Sequence, residues 1–261
     1  MEYINKERLE QIKLTKENFC VLIDFDKTIT TYDSLDSWDV AGKAADKGCV
    51  EEISNLYNKY RPIEIDYNIS YKKKTEKMEE WYNACMNTYY KFNFNKYKLQ
   101  EAVKSSKLEF RNGAKEFLEF ANKYNIPVVI VSAGVGSVIK EFLEQNNCFF
   151  NNMLLISNTF IFDEKGNAKS LENSLIHTVN KTIKGKLKGK WKEEFLNRKY
   201  RLLLGDTIED IDMTDNKENT IKVGFLDKDL ENIEAYKKEF DILLTENDSN
   251  FNELNNIIKI I

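Results

Sequence analysis

Phe19-Cys20-Val21-Leu22-Ile23 runs directly into Asp24-Phe25-Asp26-Lys27-Thr28, and the reading of this stretch decides the fold. An unbroken apolar run ending in charge predicts a short strand buried on both faces of a parallel sheet, because a strand with one wet face alternates instead. Runs of the same kind recur at 126–131 (IPVVIV), 153–156 (MLLI), 200–204 (YRLLL), 220–223 (TIKV) and 241–244 (DILL). Helical spacing of apolar residues marks 113–124, 136–145, 230–240 and 250–260. Strand alternating with helix predicts an α/β fold, a doubly wound parallel sheet with right-handed crossovers.

One stretch breaks the alternation. Residues 34–108 hold no buried-strand run, only charged segments with apolar residues at helical spacing, such as Ile53, Leu56, Tyr57 and Tyr60, then Met78, Trp81, Tyr82 and Cys85. This predicts a helical insert over 34–108, following the first strand, inside an α/β core made of 1–33 and 109–261. An insert leaving the carboxyl end of a strand stands over the crevice where open α/β sheets bind ligands. Its aromatic stripe, taken residue by residue, is expected to be helical core.

Composition narrows the class. A chain of 261 residues suits one main domain with a smaller insert. With 42% hydrophobic and 31% charged residues it is neither disordered nor fibrous. A net charge of −4 argues against a nucleic-acid polymer as partner. No apolar run approaches the length of a membrane span, and the charged N-terminal segment lacks the apolar stretch of a signal peptide, so no membrane partner and a cytoplasmic location are expected. Cys20, Cys49, Cys85 and Cys148 lie far apart with no C-x-x-C pair and are expected to be structural thiols. A lone histidine, His177, disfavours a His-based metal site or a Ser–His triad and is itself expected to be structural. Any chemistry then rests on carboxylates, hydroxyls and lysines.

Those residue types gather at strand ends. Asp24 and Asp26, at i and i+2 beyond the first buried run, point the same way while the chain stays extended. An Asp-x-Asp pair alone also suits a solvated turn. After 126–131 comes Ser132-Ala133-Gly134, a hydroxyl followed by small residues that let backbone N–H groups approach an anion. After 200–204 comes Gly205-Asp206-Thr207-Ile208-Glu209-Asp210, another carboxylate at a strand end. All three features fall at one edge of the predicted sheet.

In that order and placement the chain resembles the haloacid-dehalogenase-like (HAD-like) phosphohydrolases. The segments 126–136 (IPVVIVSAGVG), Ser157-Asn158, His177-Thr178-Val179-Asn180-Lys181, and Leu203-Leu204-Gly205-Asp206 with Asp210 and Met213, then Val223-Gly224-Phe225-Leu226, are similar to the cytosolic 5′-nucleotidase III (pyrimidine 5′-nucleotidase) family. In the insert, Ile63-Glu64-Ile65-Asp66 and Glu79-Glu80-Trp81-Tyr82 match the family's cap segment and the helix after it. The resemblance implies a Rossmann-like, HAD-like core with a helical cap.

It also implies roles. Asp24 would be the nucleophile and Asp26 the acid/base that protonates the leaving oxygen and then activates water. Mg²⁺ would be held by Asp24, the backbone carbonyl of Asp26 and Asp206, with Asp210 ligating through water or orienting the others. Ser132, Ala133, Gly134 and Lys181 would hold the phosphoryl oxygens; only the family match separates Lys181 from the charge run Lys184, Lys186, Lys188, Lys190. Glu64 would accept hydrogen bonds from a base amine and Trp38 would stack on the ring. On the residues alone Glu64 serves equally as a surface carboxylate and Trp38 as core. The expected function is Mg²⁺-dependent hydrolysis of nucleoside 5′-monophosphates through an aspartyl-phosphate. The alternatives are a related phosphatase for phosphoserine or a sugar phosphate, and a silent phosphate-binding module. The oligomeric state stays open.

Overall fold

A computed structural model describes residues 3–66, 68–228, 230–245 and 249–258. The elements run β1 (Tyr3–Ile4), α1 (Lys6–Gln11), β2 (Phe19–Ile23), α2 (Ser37–Lys43), α3 (Cys49–Glu64), α4 (Tyr71–Lys91), α5 (Lys96–Ser105), α6 (Ala114–Lys123), β3 (Val128–Val135), α7 (Gly136–Gln145), β4 (Met153–Asn158), β5 (Phe160–Phe162), β6 (Ala168–Leu171), α8 (Lys190–Asn197), β7 (Tyr200–Gly205), β8 (Thr220–Leu226), α9 (Ile233–Glu239), β9 (Ile242–Thr245) and α10 (Phe251–Ile258). All six predicted strands form. The predicted helix over 250–260 appears as α10; residues 259–260 lie outside the described ones.

Five differences from the sequence reading are small. Phe19–Ile23 is the second strand, because two-residue β1 precedes it and pairs antiparallel with β9. The hairpin of β5 and β6, α1, and α8 at the end of the lysine run were not expected. Elements this short, or this charged, carry too little periodicity to register. The 230–240 segment starts as a 3₁₀ turn, Leu230–Asn232, before α9.

The main sheet has the order β1-β9-β8-β7-β2-β3-β4, parallel apart from β1. From β2 the chain builds outward through β3 and β4, then returns to the other side of β2 for β7, β8 and β9. That reversal leaves a crevice at the carboxyl ends of β2, β3 and β7. Register fixes what meets there. Ile23 pairs with Leu204 of β7 and Ile130 of β3, which brings Asp24 level with Gly205 and Val131 and puts Asp206 and Ser132 one step further on.

Burial explains why the strands read as continuous apolar runs. Phe19, Val21 and Ile23 enter the large core shared with the insert, whereas Cys20 and Leu22 pack with Val129, Val131, Leu203, Phe195 and Met213 on the opposite face. Each fully buried aliphatic side chain here contributes about 1.5–3 kcal/mol. All four cysteines are buried free thiols.

Between β2 and β3 the chain forms α2 to α5, with α3 packed along α4. Side-chain oxygens of Ser70 and Asn95 cap α4 and α5. The outgoing and returning segments bond to each other: Thr31 N–H to Glu109 C=O at 3.0 Å, Leu35 N–H to Lys107 C=O at 2.9 Å and Arg111 N–H to Ile29 C=O at 2.8 Å. Met78, Trp81, Tyr82 and Tyr89 of α4 belong to the same buried cluster as the sheet residues.

Arg111, buried, secures the loop after β2. Its guanidinium donates to the carbonyls of Lys27 and Thr28, to Ser249 C=O at 2.7 Å and to both oxygens of Asp227 at 3.1 and 2.9 Å. The loop needs that restraint, since Lys27 sits at φ 63°, a left-handed conformation costly for a residue with a Cβ. Arg111→Ala strands Asp227 and several carbonyls, so it should cost about 3 kcal/mol or more in urea unfolding. A loss below about 1 kcal/mol would show that other contacts hold the loop.

Candidate active site

At the crevice, oxygens of Asp24, Asp206 and Asp210 lie within 4.8 Å of one another. Burial raises the Asp24 carboxyl to about 6, against the lowering pull of Lys181 and with a further rise from Asp210. Burial, with Asp210 and Asp24 adding to it, also holds Asp206 well above the ordinary carboxylate range. Buried anions so arranged call for a cation, and an all-carboxylate donor set suits a hard one.

One cation is built in. Lys181 Nζ contacts Asp24 Oδ1 and donates to Asp210 Oδ1 at 2.5 Å. Burial alone would depress its pKa; Asp210 and Asp24 more than reverse this and keep the ammonium charged. The other oxygen of Asp210 accepts the N–H groups of Asp206 and Thr207 at 3.0 and 3.1 Å. Both oxygens of Asp210 are therefore engaged in holding Lys181 and the Gly205-Asp206 turn. Gly205 has to lack a side chain, since a Cβ there would collide with the Asp210 carboxylate.

Asp26 stands apart from this cluster. Its Oδ1 accepts the Ser37 N–H at 2.8 Å and its Oδ2 the Ser37 hydroxyl at 2.6 Å, at the start of α2. The Ser37 hydroxyl oxygen in turn accepts the Val135 N–H at 3.1 Å, which ties the insert to the end of β3. Burial and the neighbouring Asp36 raise the Asp26 carboxyl to about 8, the bonds from Ser37 opposing them. Ser37 was not found from sequence, because a serine eleven residues away in an insert carries no motif.

Ser132, Ala133 and Gly134 line the same cavity. Here the expectation of free amides needs correcting: Gly134 N–H donates to Ser132 Oγ at 3.0 Å, a small local turn, and Val135 N–H goes to Ser37. A Cβ on Gly134 would collide with Ser37 and crowd Asp26. Asn158 explains how Lys181 arrives. Its amide donates to Ala133 C=O at 2.9 Å and to Ile176 C=O at 2.8 Å, and its oxygen accepts the Ile176 N–H at 2.9 Å. The chain then makes a 3₁₀ turn, Thr178–Asn180, and delivers Lys181. His177 is buried with its ring against Tyr82, centroids 6.0 Å apart, and its pKa is lowered by burial.

The cavity, about 560 Å³, continues from the carboxylates to the insert, where Trp38, Ile53, Tyr57, Arg61, Glu64, Trp81 and Tyr82 line it. Trp38 packs edge-on against Tyr82 at 5.3 Å and near-parallel to Tyr89 at 6.0 Å, so it is core on one side and cavity wall on the other. Trp81 and Tyr82 serve both purposes too, whereas Tyr57 is exposed and meets Trp81 edge-on. Glu64 forms an ion pair with Arg61. Lys27, Arg61, Thr178 and Glu209, which also line the cavity, were not singled out from sequence.

Comparison with known proteins agrees with this geometry. A family model described as pyrimidine 5′-nucleotidase (UMPH-1) matches residues 21–261. The 7-methylguanosine phosphate-specific 5′-nucleotidase of Gallus gallus is 32% identical, over 96% of this chain and 91% of the relative. The Homo sapiens protein of the same name is 31% identical, over 92% and 84%. The crystal structure of cytosolic 5′-nucleotidase IIIB bound to cytidine superposes with a TM-score of 0.82 at 26% identity, covering 97% of this chain and 88% of that one. A phosphoserine phosphatase shares the fold alone, with a TM-score of 0.59 at 16% identity. The chain belongs to the pyrimidine 5′-nucleotidase family and is a HAD-like nucleotide phosphohydrolase.

Proposed function

We propose that this protein hydrolyses nucleoside 5′-monophosphates to nucleoside and phosphate in two displacements. The observation that carries the reading is one continuous cavity with a carboxylate and lysine end on the sheet and an aromatic end bearing Glu64 on the insert. Its volume, about 560 Å³, falls in the range that encloses a ligand of this size.

Asp24 attacks phosphorus while Asp26 gives its proton to the departing ribose oxygen, so the ester P–O bond breaks as the aspartyl-phosphate forms. Asp26 then takes a proton from water, whose oxygen attacks phosphorus and frees Asp24 and inorganic phosphate. A carboxyl raised to about 8 carries the proton that the first step needs. Ser37 holds Asp26 in place. Lys181, the Ser132 hydroxyl and the amide of Ala133 are assigned to the phosphoryl oxygens, on which charge is stabilised during transfer, while the Gly134 amide is held by Ser132. Mg²⁺, assigned to Asp24, Asp206 and the Asp26 carbonyl, would neutralise the meeting of carboxylates and phosphate. Asp210 acts through Lys181 and the Asp206 turn. At the far end Trp38 is assigned to stacking on the base and Glu64 to its hydrogen-bonding edge. The relatives' names join the family to pyrimidine nucleotides and to 7-methylguanosine phosphate, and the cytosolic name of the structural relative supports assigning a cytoplasmic location. A phosphoserine or sugar-phosphate activity would leave the aromatic end without a role.

A panel of CMP, GMP, ribose 5-phosphate and phosphoserine assayed with Mg²⁺ tests the reading, with the nucleotides expected to lead in kcat/KM. Asp24→Asn should abolish phosphate release; activity within about tenfold of the parent would remove Asp24 from the nucleophile role. Ser37→Ala should lower kcat for CMP by roughly tenfold to a hundredfold with little change in KM, and Ser37→Thr should restore most of it. The loss should be smaller on para-nitrophenyl phosphate, whose leaving oxygen needs less protonation. Equal losses on both substrates would make Ser37 merely structural.

The raised carboxyls also fix a pH dependence. Their neutral form is the one the fold favours, so the stability they contribute is present at low pH and lost as pH rises through about 6 for Asp24 and about 8 for Asp26. Chelated protein should therefore lose thermal stability between those values, and the rise in Tm on adding Mg²⁺ should be larger at the upper one, where no proton need be displaced. A shift independent of pH, or none, would detach the metal from the Asp24 carboxylate.

A further inference from the structure

Arg61 stands in the last turn of α3, one turn before its partner Glu64, and both line the cavity wall. A basic residue at a helix C-terminus with an acidic neighbour at i+3 is ordinary helix chemistry. The location is not ordinary. The Glu64 side chain is only 12% exposed while that of Arg61 is 45% exposed, so the pair faces the cavity at the boundary between a closed wall and solvent. Around it sit the Tyr57 and Tyr82 rings, and Glu209 closes in from the core side. The Glu64 charge is felt by Glu209 and by the Tyr82 hydroxyl, both held above their ordinary values chiefly by burial. Lys74 donates to the Glu64 backbone carbonyl at 2.7 Å, while the Glu64 carboxylate pairs with Arg61.

A lone Glu64 would make this wall an anionic acceptor, suited above all to a cationic base. Arg61 changes both properties. Its fixed positive charge cancels that of Glu64, and its remaining N–H groups put donors beside the free carboxylate oxygen. A donor next to an acceptor complements a neutral base edge on which a carbonyl or ring nitrogen adjoins an N–H or amine, as in cytosine, uracil and guanine. A base made cationic by methylation at N7 meets a cation where a lone anion would have attracted it.

We infer that Arg61 is a specificity-determining residue that turns the base end of the cavity toward neutral, carbonyl-bearing bases and against cationic ones. The inference rests on the nucleotidase function proposed above.

GMP and 7-methyl-GMP differ by one methyl group and one charge, which makes their ratio the measurement. In mildly acid buffer, where the methylated base keeps its N1 proton and its positive charge, kcat/KM for both is read in the parent, Arg61→Met, Arg61→Lys and the Glu64→Gln/Arg61→Met double variant. Arg61→Met should raise the 7-methyl-GMP to GMP ratio by roughly tenfold, the effect of one partly screened charge at short range. Arg61→Lys should stay near the parent, and in the double variant most of the gain should vanish. Inhibition by guanosine and 7-methylguanosine should follow the same order, which keeps the test independent of turnover. A ratio in Arg61→Met within about twofold of the parent, or an equal rise in Arg61→Lys, would overturn the inference and leave Arg61 as a helix-end cation. If the parent turns over no nucleoside monophosphate better than ribose 5-phosphate, the nucleotidase reading falls and takes the inference with it.

Discussion

Three carboxylates share a buried space at the ends of β2 and β7, and the ammonium of Lys181 contacts two of them, Asp24 and Asp210. Everything nearby serves that contact. Asp210 spends one oxygen on Lys181 and the other on two backbone N–H groups, so it fixes both the cation and the turn presenting Asp206. Asn158 links the β3 loop to the segment that brings Lys181 in. Without Lys181 the buried anions would have to take up protons or draw the loops apart, because an uncompensated charge in such a place costs several kcal/mol. The fold holds this strain locally by parallel register, which leaves the strand ends no freedom to spread.

Asp26 needs different surroundings. The proposed general acid has to keep its proton near neutrality, and burial together with the proximity of Asp36 does that. Its two hydrogen bonds come from Ser37 on the insert, while Ser37 is anchored on Val135 of the core. Burial thus raises both of two carboxylates two residues apart, Asp24 to about 6 beside Lys181 and Asp26 to about 8 beside Asp36. The insert is accordingly more than a cover over the crevice: it supplies the donor pair that orients the acid.

Sequence reading went furthest where one physical signal dominated. Phe19–Ile23 is apolar on both faces because each face meets a separate core, and no other element type of that length reads so. Asp24, Asp206 and Ser132 were legible because strand ends at one sheet edge converge once the strands are parallel. Lys181 was legible only through a family resemblance, since a lysine in a lysine run has no local mark and its distinction is made by Asp24 and Asp210 from distant strands. Ser37 and Arg111 had no such mark either. Both act by hydrogen bonds closed across the fold, and nothing in the nearby sequence records a partner 98 or 116 positions away. The amide of Gly134, expected to be open to an anion, is already in use by Ser132.

The two ends of the cavity differ in how they are built, and the difference matches their tasks. Phosphoryl chemistry tolerates little displacement, so its groups stand on strand ends locked by register and by buried ion pairs. The base recognition proposed here stands on helices. Along α3, Ile53, Tyr57, Arg61 and Glu64 recur at spacings of four, four and three, so a single helical face presents an apolar patch, an aromatic ring and a charge pair in succession. Changing one residue on that face alters what the wall attracts without touching the register of β2 or β7. Trp38 and Tyr82 cannot be varied as freely, because each packs into the shared core as well as facing the cavity. Within the wall, charge at the exposed end of α3 is therefore the property that can change at least cost to the fold.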